Sequence, residues 1–483
     1  MNQSSKLKKN VIYQTTADVL AMVLPLIASP YISRTIGAEG LGTYSFYYSI
    51  AYYFTLIAAL GMRNHGSRTI AKSRNSQYTI NVAFSNLFAT QVISSITCIL
   101  IYIMFLLSIK EPVSRFYATI MFFQVLSSLF DISWFYIGLE NFKLTVTITS
   151  FVNLISFSAI FIFIKSADDI WIYLLIMSLT VLAGQLGLWI PLRKYVSFTR
   201  PNVSIMTSHL KPLFILFLPN ISVSLYKYMD KIMIGLLSSK AQLGFYENAE
   251  KVTTLPLTII SSFGTVMIPR ISNMMVNHEQ NMAKKYTKIS ALYVMWLSYA
   301  LTFGFIATAK TFAPIYWGTE FIQCSTLIMI LAVTIPFISF ANIIRTQYLI
   351  PNEKDVDFVV SVTLGAAINL AMNYFLIPRL GAVGASYATI AAEITVCLIQ
   401  CISSRKHLPL GIMIIQTLPF MFFAIIMFAV VFNIGEVMTI KISTLAIQVI
   451  IGICIYCVTS FLYLYKVNDP IMRIIVTKIL RKR

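Results

Sequence analysis

Within the apolar run LKPLFILFLPNISVSLYKYMDKIMIGLL sit three charges, Lys227, Asp230 and Lys231. Their i, i+3, i+4 spacing puts all three on one face of a helix. The stretch from Pro212 to Leu237 is long enough to cross a bilayer. Lys227 falls roughly 4 Å past its midpoint, at about 1.5 Å per residue. An ionisable group at that depth costs on the order of 2.5–3.5 kcal/mol and turns toward a bundle interior or a wet cavity. Two chemistries fit. A Lys–Asp pair can neutralise itself and tie helices together, with Lys231 snorkelling outward. Alternatively the lysines line a polar path for a transported group, and the depth of the cluster favours this second reading.

Three more acids fall inside apolar runs: Asp18, Asp131 and Glu393. Asp18 lies about 10 Å into the first run, ahead of Pro25 and Pro30, which free backbone carbonyls and let a helix bend. Asp18, Asp230 and Glu393 are therefore candidates for coupling transport to an ion gradient, or for hydrogen bonds between helices. Asp131 sits beside Trp134, Phe135 and Tyr136, an expected interfacial group, and reads as structural. Arginines close several runs, and Arg68 and Arg270 stand out because they recur at one offset (below). A guanidinium grips phosphate oxygens through two hydrogen bonds, so this pair is a candidate for receiving an anionic lipid head.

The elements that must carry these residues are membrane helices. The 483 residues are 58% hydrophobic and 11% charged, against about 25% charged for soluble proteins. Fourteen spans are expected: about 11–33, 41–62, 82–109, 116–138, 144–164, 170–192, 212–237, 252–269, 286–309, 324–344, 358–378, 382–402, 410–432 and 442–465. The first is too long for a signal-peptide core and lacks a cleavage-like site, so it is expected to be retained. With the N-terminus cytoplasmic, 26 Lys and Arg fall in inner loops and nine in outer ones, the asymmetry of a protein with both termini inside. That bias accounts for the net charge of +19 without nucleic acid, because the inner leaflet is anionic.

A shift of 202 residues lays the seventh span on the first and the eighth on the second. It aligns Leu41/Leu243, Gly42/Gly244, Tyr44/Tyr246 and Arg68/Arg270, with Asp18 opposite Asn220. Both first helices enter from the same side, so the repeat is parallel. The expected fold is all-α and polytopic, with two pseudo-symmetric six-helix lobes and two further helices. Its parts are an N-terminal lobe (1–192), a cytoplasmic linker (193–211), a C-terminal lobe (212–402), spans 13 and 14 (403–465) and a basic cytoplasmic tail (466–483).

Other chemistry is not visible. Cys454 and Cys457 have redox-motif spacing but no histidine or charge beside them, and read as helix packing. The four histidines fall on separate loops, without the spacing of a metal site. No Walker A loop, glycine-rich phosphate cradle, Ser/His/Asp set or HExxH is present. No loop exceeds about twenty residues, too short for a soluble catalytic domain. Transport without its own nucleotide hydrolysis is expected, with no enzyme activity, no cofactor and no metal. Coupling to protons or sodium ions stays open.

Five stretches carry a family resemblance: ISRTIGAEGLGTYSFYYSIAYYFTLIAALGMRNHGSRTIAK (Ile32 to Lys72), WFYIGLENFK (Trp134 to Lys143), YMDKIMIGLLSSKAQLGFYENAEKV (Tyr228 to Val252), PRISNM (Pro269 to Met274) and RLGAVGASYATIAAE (Arg379 to Glu393). In this order they resemble bacterial polysaccharide-biosynthesis flippases of the Wzx type, members of the multidrug/oligosaccharidyl-lipid/polysaccharide exporter superfamily. The resemblance implies two six-helix lobes around a central cavity. It also implies movement of undecaprenyl-pyrophosphate-linked oligosaccharide across the bacterial cytoplasmic membrane by alternating access, for capsule, O-antigen or exopolysaccharide assembly. It makes the span 7 charges a cationic site for the pyrophosphate-sugar head, and it suggests the polymerase and chain-length machinery as partners. A peptidoglycan lipid-precursor flippase and an ion-coupled drug antiporter of the same superfamily are the alternatives. A structural scaffold would not need charges inside its spans.

Overall fold

Lipid offers no hydrogen bonds to a peptide backbone, so each crossing segment must satisfy its own N–H and C=O groups. The computed structural model describes residues 3–467, with side chains from Val23 onward except those of Leu218, Pro219, Ser222 and Tyr226. The described residues contain helices and no strand. The helices are α1 (Gln3–Ala59), α2 (Met62–Lys72), α3 (Gln77–Ser108), α4 (Pro112–Phe130), α5 (Ser133–Gly138), α6 (Phe142–Phe163), α7 (Ile170–Trp189) and α8 (Val203–Leu237). They continue with α9 (Lys240–Val276), α10 (Gln280–Tyr316), α11 (Gln323–Ala332), α12 (Thr334–Ile344), α13 (Asp355–Leu380), α14 (Ala382–Ser404), α15 (Leu410–Ile415), α16 (Leu418–Val437) and α17 (Ile442–Lys466).

Twelve helical segments among the described residues are long and apolar enough to cross a membrane. They correspond to every expected span but the first and seventh, which fall on α1 and α8, where some side chains lie outside the described set. The chain is an all-α, multi-pass membrane protein. At 57 residues α1 would run about 85 Å if straight, far more than the ~30 Å hydrocarbon core, so it carries two spans. They meet at Gly37, where φ is 68° and a side chain would be strained. Leu60 and Gly61 then take positive φ and separate α1 from the polar helix α2.

The chain packs as two compact units, one up to Gly244 and one from Phe245 onward. Helix α8 counts with the first because it packs on α1, α2 and α3. In that unit an aromatic core gathers Phe84, Trp134, Phe135, Tyr136 and Leu188. Trp134, Phe135 and Tyr136 are 1, 0 and 0% exposed, so they are core residues rather than the interfacial group expected. The chain leaves helical geometry after Phe130, and Asp131 accepts the Ser133 N–H at 2.9 Å, folding the short helix α5 inward. Gln91 on α3 accepts the Trp134 Nε1–H at 2.8 Å and donates to the carbonyls of Ser128 and Asp131. The Tyr136 hydroxyl donates to the Leu188 carbonyl.

In the second unit Phe340, Ile344, Tyr348, Phe420, Met427 and Tyr456 belong to one core. The expected span 324–344 is broken into α11 and α12, and ends in a π-helical turn, Arg345–Leu349. Cys454 and Cys457 are exposed on α17, so they are surface rather than packing residues. A stripe on α3, Ile93, Ile96, Leu100, Met104 and Leu107, is also exposed. Such a stripe marks a contact surface, and on a spanning helix it meets lipid.

Candidate functional site

Helix α8 starts at Val203, capped by the Asn202 side chain on the Ser204 N–H, nine residues before the apolar run begins. It places Asp230 and Lys231 in the interior, 3 and 8% exposed, and leaves Lys227 exposed. The helix period, rather than any loop, sets this arrangement. Two lysines flank one carboxylate, so the cluster carries a formal surplus of one positive charge.

The wall beside it comes from the second half of α1. The Tyr53 hydroxyl donates to the Ser224 carbonyl at 3.0 Å and fastens the two helices. One turn further along α8, the Tyr228 ring stacks on Tyr52, centroids 4.0 Å apart and planes 29° apart, with Tyr48 at 6.2 Å. The Lys231 and Lys227 ammonium groups stand 5.6 and 5.9 Å from the Tyr228 centroid. Both distances are within the range of cation–π attraction. Lys240, at the start of α9, donates to the Gly235 carbonyl at 3.0 Å and covers the Phe46 ring.

The remaining sequence candidates are placed elsewhere. The side chain of Asp18 lies outside the described residues. Arg68 is exposed on α2, close enough to His65 for its charge to act there. His65 in turn meets His209 of α8, Nε2 to Nδ1 2.9 Å. His209 precedes Lys227 by 18 residues, about 27 Å along a helix, so Arg68 does not join the lysine cluster. Arg270, on α9 in the second unit, donates to the Tyr286 hydroxyl at 2.6 Å and lies over that ring. Glu393 is 8% exposed on α14 and interacts electrostatically with Arg345.

Three features escaped the sequence. His65 and His209 sit on helices, not loops, and their 144-residue separation gives no local signal. Among the described residues no group of three or more His, Cys, Asp or Glu could hold a metal ion. The second is the tyrosine row Tyr44, Tyr48, Tyr52, whose i, i+4, i+8 spacing was there to be read. The third is the π-helical turn, where Gln347 is 1% exposed and neither polar atom of its amide is hydrogen-bonded among the described residues.

Comparison with known proteins gives this geometry a family. A putative O-antigen transporter of Shigella dysenteriae is 22% identical over 394 residues, 81% of this chain and 98% of that protein. One from Escherichia coli K12 is 22% identical over 411 residues, 83% of this chain and 97% of that protein. A probable low-salt glycan biosynthesis flippase of Haloferax volcanii is 27% identical over 164 residues, 34% of each chain. Among solved structures, the lipid II flippase MurJ in an inward closed conformation has a TM-score of 0.78 at 14% identity, covering 95% of this chain and 99% of that one. An inward-facing multidrug resistance MATE family transporter of the MOP superfamily has a TM-score of 0.62 at 14% identity, covering 80 and 94%. These two establish the fold. Residues 7–275, more than half of the chain and including α8 with its charge cluster, match the model of one family, and the chain therefore belongs to the polysaccharide biosynthesis protein family.

Proposed function

We propose that this protein is a flippase for lipid-linked oligosaccharide. It carries a polyprenyl-pyrophosphate-linked repeat unit from the inner to the outer leaflet of the bacterial cytoplasmic membrane by alternating access, with both termini cytoplasmic. The observation that carries this reading is the Lys227–Asp230–Lys231 cluster, set inside a spanning helix of a polysaccharide biosynthesis family member. A pyrophosphate is an anion that lipid excludes, and lysines at depth offer it replacement hydration. Relatives named as O-antigen transporters and as a glycan flippase support the same substrate class. The protein catalyses no covalent step; a proton or sodium gradient drives the cycle, with Asp18, Asp230 and Glu393 as the coupling groups. Arg68 and Arg270 receive the phosphates at the cytoplasmic face, and polymerase and chain-length proteins take over the product.

Depletion tests the reading. In cells with no second flippase, lipid-linked oligosaccharide should accumulate in the inner leaflet while surface polymer falls. Polymer at the parental level would sink the proposal.

A further inference from the structure

Tyr48, Tyr52 and Tyr228 lie where the transported sugar would have to pass if the lysines hold its phosphate. On α1 the exposed apolar residue Ile57 is about 140° around the helix from Tyr52 and about 180° from Tyr48. The tyrosine row therefore does not share Ile57's face. All three rings are half-buried, neither sealed in the core nor bare. Beside them Lys227 is exposed in the middle of a spanning helix, and an exposed ammonium at that depth needs water.

The ring arrangement is shaped for a flat, hydroxyl-edged partner. Tyr48 and Tyr52 are only 28° from parallel with centroids 6.4 Å apart, and Tyr228 extends the group across to α8. The face of an aromatic ring carries negative charge density. It attracts the polarised C–H groups that a pyranose presents on one side, while tyrosine hydroxyls can bond the sugar's own hydroxyls. In a sugar pyrophosphate, the anomeric carbon is one oxygen atom away from phosphorus. A phosphate held by Lys227 and Lys231, each within 6 Å of the Tyr228 centroid, therefore brings the first sugar onto these rings.

We propose that Tyr48, Tyr52 and Tyr228 form the stacking platform for the sugar joined to pyrophosphate, so that the site reads a glycosylated head group rather than pyrophosphate alone. This rests on the flippase reading above.

Two probes separate the claims: farnesyl pyrophosphate, and farnesyl pyrophosphoryl-N-acetylglucosamine, each titrated onto the purified full-length protein in detergent. The parent should bind the glycosylated probe more tightly. Tyr52→Leu and Tyr228→Leu should weaken that probe about five- to tenfold and leave farnesyl pyrophosphate within about twofold, the scale of one aromatic contact. Tyr52→Trp keeps a stacking face and should keep the preference, which guards against a merely misfolded leucine variant. Lys231→Ala should weaken both probes together. If the leucine variants keep the parental ratio between the probes, the platform is wrong while the lysine site stands. If the parent binds neither probe, the flippase reading falls and takes the platform with it.

Discussion

Gly42 and Gly244 lie against each other's backbones. A Cβ added to Gly42 would stand 1.7 Å from the Lys240 carbonyl oxygen and 2.8 Å from the Gly244 nitrogen. One added to Gly244 would stand 1.9 Å from the Ala38 carbonyl oxygen. Both contacts obey the 202-residue offset, since residue 240 is the repeat equivalent of residue 38. The recurring L-G-x-Y turn is thus a helix crossing in which each copy makes room for the other. Gly42→Ala or Gly244→Ala should cost about 1–3 kcal/mol or more, the scale of overpacking. Thermal unfolding in detergent, or abundance in the membrane, reads this directly; an unchanged melting temperature would remove the crossing from the fold's essentials.

For the charge cluster, Lys231→Ala should cut transport about tenfold or more, equal to roughly 1.4 kcal/mol of lost stabilisation of the moving head group. Lys227→Ala should act similarly with less effect on folding, because Lys227 is exposed and Lys231 is not. Arginine at either position keeps the charge and should keep partial activity. Transport in proteoliposomes, normalised to reconstituted protein, is the measurement; parental rates in both alanine variants would make the lysines structural.

Asp230→Asn separates coupling from neutralisation. If the carboxylate only balances a lysine, the variant should lose abundance, and replacing Lys231 as well should restore it. If the carboxylate couples, protein should persist at the parental level but flip slowly and ignore an imposed ion gradient. Quantifying protein and flux in the same membranes distinguishes the two.

Gln91 holds three groups at once: the indole of Trp134 and the carbonyls of Ser128 and Asp131. It is 2% exposed. Gln91→Leu takes from the buried Ser128 carbonyl the donor Gln91 supplies, while the Asp131 carbonyl keeps the Trp134 indole, and should cost roughly 1–3 kcal/mol, the scale of one unsatisfied group. The near-ultraviolet signature of Trp134 should change with it. A variant as stable as the parent would show that the indole finds all it needs at the Asp131 carbonyl, 3.1 Å away.

Arg74 pins the turn after α2 to the turn before α6. Its guanidinium donates twice to the Gly138 carbonyl, Nε at 2.7 Å, and pairs with Glu140 at 3.0 Å. Arg74→Ala should lose about 1–3 kcal/mol, mostly from the charge-assisted bonds to the carbonyl. Glu140→Ala should lose under about 1 kcal/mol, since that pair is partly exposed and screened. The order of the two losses, measured by unfolding, is the test.

What was legible in the sequence was what the bilayer itself dictates. Lipid demands about twenty apolar residues per crossing, so the spans could be counted, and Lys227, Asp230 and Lys231 stood out as violations of that rule. Helix ends were harder. Hydropathy records where lipid stops, whereas hydrogen bonding lets α8 begin at Val203, inside a stretch assigned to a linker. Trp134, Phe135 and Tyr136 misled because aromatic residues next to a carboxylate look the same at a membrane interface and in a core. Only the partners Gln91 and Leu188, 43 and 52 residues away, decide between the two. His65 and His209 are the same case at longer range.

The aromatic core around Trp134 has a consequence for how the chain is made. Its buried members run from Met62 to Leu213. Every one has been synthesised before the final 270 residues or so are added, a further 15–50 s or thereabouts at about 5–20 residues per second. This core can therefore settle in the membrane while the ribosome is still working on α9 to α17. A nascent chain stalled beyond α8, once enough residues have left the ribosome and insertion machinery, should already protect Trp134 from solvent.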